Sequence, residues 1–475
     1  MSGKSAPRVA LVNLGCRVNR AEIDGFAIGF ETAGCTIVED SSQADLVVVN
    51  TCAVTGEAQT KTRKAVRRMS RLTQSPAVVA TGCAATLFSE ELERACPGVC
   101  VVPGKDDVVR VGISILGLDA QQCAPVACAS LTPTPTGRSR PSVKIQDGCD
   151  NRCTYCIVWK ARGASRSVPS ARVIREVRQC LDRGAHEVVL AGINLGCWAA
   201  PDDDVLAKGA RLPDLLELLL RETDVERLRI SSIEPPDVTP ELLEVMADSA
   251  GRVAPFLHIC LQSGCDDTLV RMGRTYDTDQ YRRIVRLARD RIPGVAVGTD
   301  VIVGFPGETD DEFETSYAFC EEMAFARMHV FRYSPRPGTP ASIAPAQVDA
   351  PTSSVRARRL RTLSQRMRGE AAKAHDGELD VVLVQSVGRA VSSHLFDVRV
   401  DDSLEVGSMA EVRLSAVNGG LMGYFPRDGR RDAPAHARAG RSSRGRGRAA
   451  NSPAQGAGSD SAALPPRPPS SLPAI

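Results

Sequence analysis

Three cysteines in one short segment form the most specific chemical signal of this sequence. Cys149, Cys153 and Cys156 fall within eight residues, in the pattern Cys-x-x-x-Cys-x-x-Cys. Cysteine thiolates are the ligands of iron–sulfur clusters, and a [4Fe–4S] cluster normally takes four of them. A loop that supplies three thiolates can therefore bind three irons and leave the fourth iron open to another ligand.

Zinc and a disulfide are the alternative uses of these cysteines. A closed zinc site needs four ligands, and the next histidine, His186, lies outside the usual spacing. Disulfides are rare in cytosolic proteins. Because residues 1–4 lead into a short apolar segment rather than a secretory signal, we expect a cytoplasmic protein in which this loop binds iron.

A second trio of cysteines, Cys16, Cys52 and Cys83, follows three apolar runs that are predicted to be strands. The runs cover residues 8–14, 44–50 and 76–80. Continuous Val, Leu and Ile runs are typical of parallel strands buried on both faces. Helical patterns near residues 22–32 and 58–71 complete an open parallel sheet with helices on its faces.

The placement of this second trio predicts another [4Fe–4S] cluster. Neighbouring parallel strands end at the same edge of a sheet, and ligands gather outside those ends. Three sulfurs at three such ends can converge on one cluster, again with one open iron. Three unrelated buried cysteines are the alternative, but that alternative does not explain the repeated placement.

A second series of strands and helices follows a Pro/Thr/Gly-rich linker at residues 131–141. Its six predicted strands lie near residues 143–146, 187–190, 227–230, 257–261, 296–303 and 328–333. Its predicted helices lie near residues 171–183, 212–221, 240–247, 278–291 and 311–322. Six strands are fewer than the eight of a closed barrel, so we predict an α/β fold with a central partial (β/α)6 barrel.

The rest of the chain is predicted to hold a basic helix, a small β-barrel and a disordered tail. The helix covers residues 355–375, and short alternating strands are clearest at residues 381–384, 396–400 and 411–414. The predicted domains are an N-terminal domain (1–130), a linker (131–141), the partial barrel (142–345), a linker helix (346–376), a small β module (377–426) and an Arg/Gly/Pro-rich tail (427–475).

Overall composition adds two expectations. The net charge of +2 gives no global sign of a nucleic-acid partner. No continuous apolar stretch approaches the ~18 residues that indicate a transmembrane helix, so no membrane association is predicted.

The loop from Gly148 to Cys156, with the aromatic Tyr155 before its last cysteine, resembles the cluster loop of radical-S-adenosylmethionine enzymes. The resemblance implies that S-adenosylmethionine binds the open iron and is cleaved to a 5′-deoxyadenosyl radical. Two three-cysteine clusters in this order are similar to the methylthiotransferase family, over residues 8 to about 425. That resemblance implies catalytic roles for both trios, two [4Fe–4S] clusters and two S-adenosylmethionine molecules per reaction, with sulfur delivered at the N-terminal cluster.

Several short segments look like the branch of this family that acts on N6-threonylcarbamoyladenosine in tRNA. They are residues 14–19 with Glu22, 50–55, 147–150, 161–163, 165–167 and 229–235. The resemblance implies tRNA as a partner, a flavodoxin- or ferredoxin-like external electron donor and an unidentified sulfur donor. The alternative substrates are N6-isopentenyladenosine in tRNA and a ribosomal-protein aspartate.

Residues near the ends of the barrel strands are candidates for the S-adenosylmethionine pocket. They are Tyr155, Gly192, Asn194, Gln262, Gly304 and Glu308. Gly192 allows close backbone approach to a ligand, although its segment is alternatively an ordinary turn. The resemblance supports roles for Gln262 and the 304–308 turn, whereas His258 is alternatively a satisfied core histidine.

Two basic helices are candidates for contacts with RNA phosphates. One covers residues 61–71 after Cys52, and the other carries Arg356, Arg358, Arg359 and Arg361. A solvated charged face is the alternative. The module after residue 377 resembles the TRAM RNA-binding domain, and a small β-barrel beside the active site would suit an anticodon loop.

Two other classes of protein compete with the enzyme interpretation. An electron carrier has no use for open iron sites, because electron-transfer clusters usually have a full set of cysteines. A zinc-binding RNA adaptor would give colourless protein after reconstitution with iron and sulfide.

Overall fold

The computed structural model describes residues 6–118, 137–417 and 419–425. The predicted tail 427–475 and most of the predicted linker 131–141 lie outside these residues. Within the described ranges, no helix combines the length and apolar character that a membrane crossing requires.

The N-terminal part is the predicted open parallel sheet. Its strands are β1 (Arg8–Asn13), β2 (Thr36–Val38), β3 (Leu46–Thr51), β4 (Ala77–Gly82) and β5 (Cys100–Val101), in the order β2-β1-β3-β4-β5. Its helices are α1 (Arg17–Thr32), α2 (Gly56–Met69), α3 (Cys83–Leu87), α4 (Ser89–Ala95) and α5 (Val108–Ile115). The central strand β3 is fully buried because α1 and α5 cover one face of the sheet and α2 covers the other.

The central part is the predicted partial barrel. Its strands are β6 (Ser142–Lys144), β7 (Gln146–Asp147), β8 (Arg166–Ser167), β9 (Glu187–Ala191), β10 (Arg227–Ile230), β11 (Ser232–Ile233), β12 (Phe256–Ile259), β13 (Ala296–Val303) and β14 (Arg327–Arg332). Its helices are α6 (Val158–Arg162), α7 (Ser170–Asp182), α8 (Leu212–Glu222), α9 (Pro240–Asp248), α10 (Asp266–Met272), α11 (Thr278–Arg291) and α12 (Asp310–Met323).

The partial barrel has six parallel strand positions, which we call staves, and one of these staves is interrupted. The staves follow one another in sequence order, and β10 with β11 makes the third stave. At the interruption, the Ser231 amide donates to the carbonyl of Leu190 on β9, while the carbonyl of Ile233 accepts from Cys260 after β12. Because of the break, the β10 part of this stave pairs with β9, and the β11 part pairs with β12.

The C-terminal part is a long helix followed by a closed five-stranded barrel. Helix α13 (Ala350–Ala374) precedes β15 (Leu379–Ser386), β16 (Arg389–Val391), β17 (Asp397–Arg399), β18 (Met409–Val417) and β19 (Gly420–Tyr424). The helix begins earlier than predicted because the Asp349 side chain caps it by accepting from the Thr352 amide. Arg361 and Ser364 donate to carbonyls of β14, so α13 covers the open edge of the partial barrel.

The small C-terminal barrel lies at the opposite end of the partial barrel from the cysteine loop. Phe256 and Ala296, which begin β12 and β13, pack into the apolar core of the small barrel. The cysteine loop, in contrast, follows the carboxyl end of the first stave. The expectation of a β module beside the active site is therefore wrong, because the contact is made at the amino ends of the strands.

A buried ion cluster joins the partial barrel to the small barrel. The Glu187 carboxylate accepts from Arg227 at 2.6 Å and from Arg229 at 2.8 Å. Arg227 also donates to the carbonyl of Val381, and Arg229 to that of Ser393. Burial alone would raise the pKa of the Glu187 carboxyl, but the charges of Arg229 and Arg227 hold it well below its usual range.

Glu187→Gln is expected to destabilise the fold by about 3–5 kcal/mol, because it leaves two buried guanidinium groups without their counter-charge. Because the folded pKa of Glu187 lies below the unfolded value, its contribution is complete above about pH 4.3 and is lost as the pH falls further. Urea midpoints followed by fluorescence of the fully buried Trp198 measure both effects.

Glu217→Gln is the matched control, since Glu217 is exposed on α8 of the same barrel. Equal midpoints for the two variants at pH 7, or an equal dependence of both on acid, would contradict the structural role of this ion cluster.

Candidate functional site

The N-terminal cysteine trio lies at one edge of the parallel sheet, as predicted. Cys16 precedes α1, Cys52 follows β3 and Cys83 begins α3 directly after β4. The strands β1, β3 and β4 are neighbours in the sheet. Burial raises the pKa of the Cys52 thiol to about 12, and the nearby thiols of Cys83 and Cys16 add to that rise. The sheet thus brings together three sulfurs that are distant in sequence.

Glycines allow two of the cluster cysteines to be placed where they are. Gly82 precedes Cys83 at φ +90°, where an added Cβ would lie 2.5 Å from the carbonyl oxygen of Thr51. Gly148 precedes Cys149 at φ +73°, where an added Cβ would lie 1.9 Å from the carbonyl oxygen of Ala164. Only glycine fits such a close backbone approach in a left-handed conformation.

Two buried asparagines fix the loop that carries Cys16. The Cys16 thiol donates to Asn19 Oδ1 at 3.3 Å, and Asn19 Nδ2 donates to Asn50 Oδ1 at 2.8 Å. Asn50 Nδ2 returns a hydrogen bond to the Asn19 carbonyl at 3.1 Å. Since Asn50 is on β3, these bonds connect Cys16 to the strand that precedes Cys52.

The second trio lies on the loop that follows β7. Thr154, between Cys153 and Cys156, is attached to the barrel by its amide, which donates to the Met272 carbonyl, and by its hydroxyl, which donates to the Arg271 carbonyl. Burial raises the pKa of the Cys156 thiol to about 11, and the neighbouring thiols of the loop add to the rise. The Cys156 thiol is therefore protonated until a metal replaces its proton.

A guanidinium group lies against this trio. Arg274 donates to Cys153 Sγ at 3.0 Å and to Tyr276 Oη at 3.0 Å, and it also pairs with Glu234. A positive charge at this distance stabilises a thiolate and the anionic cluster that thiolates form.

The spacing of the sulfurs separates a cluster from a single zinc ion. Two thiolates on one zinc ion lie about 2.3 Å from the metal and hence at most about 4.6 Å from each other. Within the described ranges, only His258, Asp300 and His329 bring three possible metal-ligand atoms within 4.8 Å of one another. Neither cysteine trio is that compact, which fits ligands spread over several irons.

Arg162 joins the surroundings of the two trios. Its guanidinium donates to Asn19 Oδ1 at 2.9 Å on the N-terminal side. On the barrel side it donates to Asp147 Oδ1 at 2.8 Å, two residues before Cys149, and it also donates to Glu22 Oε1 at 2.9 Å. One buried side chain thus contacts the residues that position both sets of ligands.

Two lysines complete the charge balance of this cluster. Lys105 Nζ lies 2.5 Å from Glu22 Oε1, and Lys144 Nζ lies 3.1 Å from Asp147 Oδ2. Burial would raise the pKa of both carboxyls, but Arg162 and the lysines hold the pKa of Glu22 and of Asp147 below their usual values. Both carboxylates are therefore ionised at neutral pH.

The predicted S-adenosylmethionine pocket contains an unsatisfied polar atom. Asn194 accepts no hydrogen bond at its buried Oδ1 from any described residue, while its Nδ2 lies 3.0 Å from Cys197 Sγ. A Cβ on Gly192 would lie 2.9 Å from the Leu195 Cα. A buried acceptor in a turn that only glycine can form fits a polar ligand.

The remaining predicted pocket residues adjoin the cluster loop. Tyr155 meets Phe305 edge-to-face at 6.4 Å between ring centroids. Glu308 turns inward and accepts from the amides of Gly304 and Phe305 and from Arg356. Its carboxylate therefore positions the turn, and a direct contact of Glu308 with the cofactor stays a prediction.

His258 lies on β12, and Gln262 follows the carboxyl end of the same strand. Gln262 has φ +69°, an uncommon value for a residue with a side chain, and its amide donates to the Asp300 carbonyl. His258 Nε2 lies 3.1 Å from Asp300 Oδ1 but without hydrogen-bond geometry. Asp300 is the partner of His258 in this structure, and both the pocket role of His258 and the alternative of a core histidine stay predictions.

Sequence reasoning missed the polar residues around the cysteines. Asn19, Arg162, Lys105, Glu234 and Arg274 were not predicted as site residues. The available signal was that Asn19, Arg162 and Glu234 lie in the family-like segments 14–19, 161–163 and 229–235, whereas Lys105 and Arg274 lie in no such segment.

Arg162→Met is expected to cost about 3–5 kcal/mol of folding free energy, because Glu22 and Asp147 lose a buried counter-charge. Adding Asp147→Asn should recover part of that loss, since the second change removes one of the two uncompensated charges. Urea midpoints of the two single variants and the double variant measure the coupling. Additive losses of folding free energy in the double variant would show that Arg162 and Asp147 act independently. The control is Arg172→Met, at an exposed position.

Two parts of the chain match known families. Residues 143–320 match the Radical SAM superfamily, and residues 8–104 match the Uncharacterized protein family UPF0004. The first match covers the partial barrel up to helix α12, and the second covers the strands of the N-terminal sheet.

Curated relatives match most of the chain. The threonylcarbamoyladenosine tRNA methylthiotransferase MtaB of Bacillus subtilis (strain 168) is 35% identical over 410 residues, covering 84% of this chain and 89% of that protein. The tRNA-2-methylthio-N(6)-dimethylallyladenosine synthase of Erythrobacter litoralis (strain HTCC2594) is 31% identical over 420 residues, covering 85% of this chain and 93% of that protein.

A solved structure shares the fold. The radical S-adenosylmethionine methyltransferase TsrM from Kitasatospora setae, with cobalamin and a [4Fe-4S] cluster bound, has a TM-score of 0.52 and 17% sequence identity. The likeness covers 71% of this chain and 77% of that chain. It concerns the architecture of the chain alone.

Proposed function

Because the chain belongs to the radical-S-adenosylmethionine methylthiotransferase family, we propose that it converts N6-threonylcarbamoyladenosine in the tRNA anticodon loop to its 2-methylthio derivative. The observation that carries this proposal is the match to relatives named for that activity, from Bacillus subtilis and Thermotoga maritima, at 35% identity. The relatives named for dimethylallyladenosine make N6-isopentenyladenosine the second candidate substrate.

The family uses [4Fe–4S] clusters and S-adenosylmethionine, and the proposal assigns one cluster to each cysteine trio. Cys149, Cys153 and Cys156 would hold the cluster that binds S-adenosylmethionine, with pocket contacts from Tyr155 and Asn194. When bound, these groups supply a carbon-centred radical able to remove hydrogen from an unactivated C–H bond.

The N-terminal trio would hold the second cluster, at which sulfur is supplied. Cys16, Cys52 and Cys83 would be its ligands. Arg162, which interacts electrostatically with Cys83 and Cys16, would place a fixed positive charge beside those thiolates. Asn19 would orient the Cys16 sulfur through its hydrogen bond.

Two further partners belong to this proposal. Reductive cleavage of S-adenosylmethionine consumes an electron, so a flavodoxin- or ferredoxin-like donor is proposed, and the sulfur donor stays unidentified. A cytoplasmic location is also part of the proposal, because tRNA modification needs no membrane. The predicted domain limits belong to the proposal as well.

Helix α2 is the proposed contact surface for RNA phosphates. Lys64 and Arg68 are one helical turn apart and exposed, and their side chains make no hydrogen bond or ion pair with any described residue. Arg63, in contrast, pairs with Glu91 at 2.5 Å. The amide of Gly56, where α2 begins, donates to Ser334 in the loop after β14, so the helix borders the barrel opening.

The second basic helix is a weaker candidate for RNA contact. Arg356 pairs with Glu308 and Asp310, and Arg359 pairs with Glu314. Arg361 donates to a β14 carbonyl. These arginines attach α13 to the barrel, which leaves them less available to phosphates.

Cysteine replacement separates the two proposed clusters. Replacing Cys149, Cys153 and Cys156 by Ala should abolish formation of 5′-deoxyadenosine, because no iron remains to bind S-adenosylmethionine. Replacing Cys16, Cys52 and Cys83 should leave that cleavage but stop methylthiolation. Iron should fall from about eight to about four per chain in either triple variant.

Chromatography with mass spectrometry of nucleosides from treated tRNA reads out the product. The control is Cys320→Ala, since Cys320 is buried in the barrel core away from both trios. Persistent 5′-deoxyadenosine formation in the first triple variant would contradict the assignment, and so would unchanged threonylcarbamoyladenosine with the intact enzyme.

Lys64→Gln with Arg68→Gln should weaken tRNA binding and reduce the slope of log affinity against log salt by about 2, one per lost phosphate contact. Fluorescence anisotropy at several salt concentrations gives the slope. The matched control is Arg283→Gln with Arg286→Gln, which removes two exposed charges from α11 on the outside of the barrel. A slope that both double variants leave unchanged would exclude α2 as the contact surface.

A further inference from the structure

The loop that follows β14, residues 333–341, is attached to both parts of the chain that carry cysteine trios. The Ala341 amide donates at 3.0 Å to the carbonyl of Thr154, in the middle of the cysteine loop of the barrel. On the N-terminal side, the Ser334 hydroxyl oxygen accepts at 2.9 Å from the amide of Gly56, where α2 begins. These two hydrogen bonds fix the β14 loop between the two trios.

Arg336 in the β14 loop reaches into the N-terminal part of the chain. Its Nη2 donates at 2.6 Å to Gln59 Oε1 on α2. A Cβ added at Gly56 would lie 3.6 Å from Arg336 Nη1. Gly56 and Gln59 both follow shortly after Cys52 in the sequence. The guanidinium therefore lies beside the segment that Cys52 begins.

The same guanidinium also lies close to the segment of Cys83. The Cζ atom of Arg336 is 5.9 Å from the ring centre of Phe88. Phe88 packs against a small apolar cluster formed by Ala53, Cys83 and Ala84. Arg336 is thus a barrel residue whose charge is placed next to two of the three N-terminal ligand segments.

Arg336 is deeply buried without a carboxylate partner. Only 3% of the residue is exposed, and its Nε atom has no hydrogen-bond partner among the described residues. Glu91 is the carboxylate that acts on its charge, but Arg63 at 2.5 Å and the Gln59 side-chain amide at 3.2 Å already engage Glu91. Burying an unpaired guanidinium is costly, so a negative group inside the protein is needed to offset it.

Cluster binding would supply that negative charge. Desolvation lowers the pKa of the Arg336 guanidinium, and a charge on Cys52 opposes this shift more than the charge of Glu91 does. The Cys52 thiol, whose pKa burial raises to about 12, is neutral until a metal replaces its proton. The counter-charge of Arg336 therefore arises when the N-terminal trio takes up iron.

We propose that Arg336 is the counter-charge of the iron–sulfur cluster held by Cys16, Cys52 and Cys83, and that it raises the reduction potential of that cluster. The inference deepens the proposed function, because it rests on the assignment of a cluster to this trio. A reduced cluster carries one more negative charge than an oxidised one, so a desolvated positive charge beside it favours reduction. Since the arginine belongs to the barrel, the potential of the N-terminal cluster depends on contact between the two parts.

The test uses the full-length chain with Cys149, Cys153 and Cys156 replaced by Ala, so that only the N-terminal cluster is measured. A dithionite titration followed by electron paramagnetic resonance gives its midpoint potential. Adding Arg336→Gln should lower the equilibrium constant for reduction about tenfold, which is about 59 mV for one electron. Arg336→Lys should keep most of the original potential, because the positive charge remains.

Gln59→Glu keeps the test valid if Arg336→Gln fails to fold or to hold iron. It leaves the arginine in place and gives Nη2 a carboxylate where the amide oxygen now accepts, so the potential should again fall. Arg332→Gln is the matched control, since it removes an exposed charge from the end of the same strand. Water and salt screen that charge, so the potential should not change.

Each contrary outcome has a distinct meaning. An unchanged potential in both Arg336→Gln and Gln59→Glu, with about four irons per chain, would overturn the inference and leave the proposed function intact. An unchanged potential together with a weaker salt dependence of tRNA binding would also overturn it, because Arg336 would then serve an RNA phosphate. If the chain with the three alanines holds no iron before any further change, the proposed N-terminal cluster is itself wrong.

Discussion

The position of the Arg162 guanidinium is the constraint on which the arrangement of the two cysteine trios depends. It donates to Asn19, which orients Cys16, and to Asp147, which precedes the loop of Cys149. Such a group is costly to bury alone, and it is stable here because Glu22 and Asp147 supply opposite charge. Two sets of ligands on different parts of the chain therefore share one rigid polar centre. A pair of clusters that must act on one nucleoside needs this fixed separation.

Neighbouring parts of the chain cover the open sides of the incomplete barrel. A six-stave sheet leaves two free edges, and unpaired backbone groups at an edge are normally covered. Helix α1, from the N-terminal part, packs beside β6 at one edge, while α13 donates to carbonyls of β14 at the other. The small barrel closes the amino end through Glu187 and its arginines. The carboxyl ends of the strands, which the cysteine loop follows, are left uncovered by these contacts.

The sequence predicted the strands and the cysteine positions because both are local signals. Continuous apolar runs such as Leu46–Thr51 and Ala296–Val303 identify buried parallel strands without any tertiary information. Strands of two or three residues, such as Cys100–Val101, give no period to detect. The location of the small barrel was predicted wrongly, since its docking depends on Arg227 and Arg229 meeting carbonyls more than a hundred residues away.

The polar surroundings of the cysteines were beyond sequence reasoning for the same reason. Asn19 and Arg162 are 143 residues apart, and neither residue type predicts the other. Their pairing follows only once the sheet has brought β1 and β3 together and α1 has packed against the barrel. Burial raises the pKa of Cys52 and Cys156, so these two thiols are protonated until metal binds. Metal binding must therefore release those protons, which couples cluster assembly to completion of the same buried polar centre.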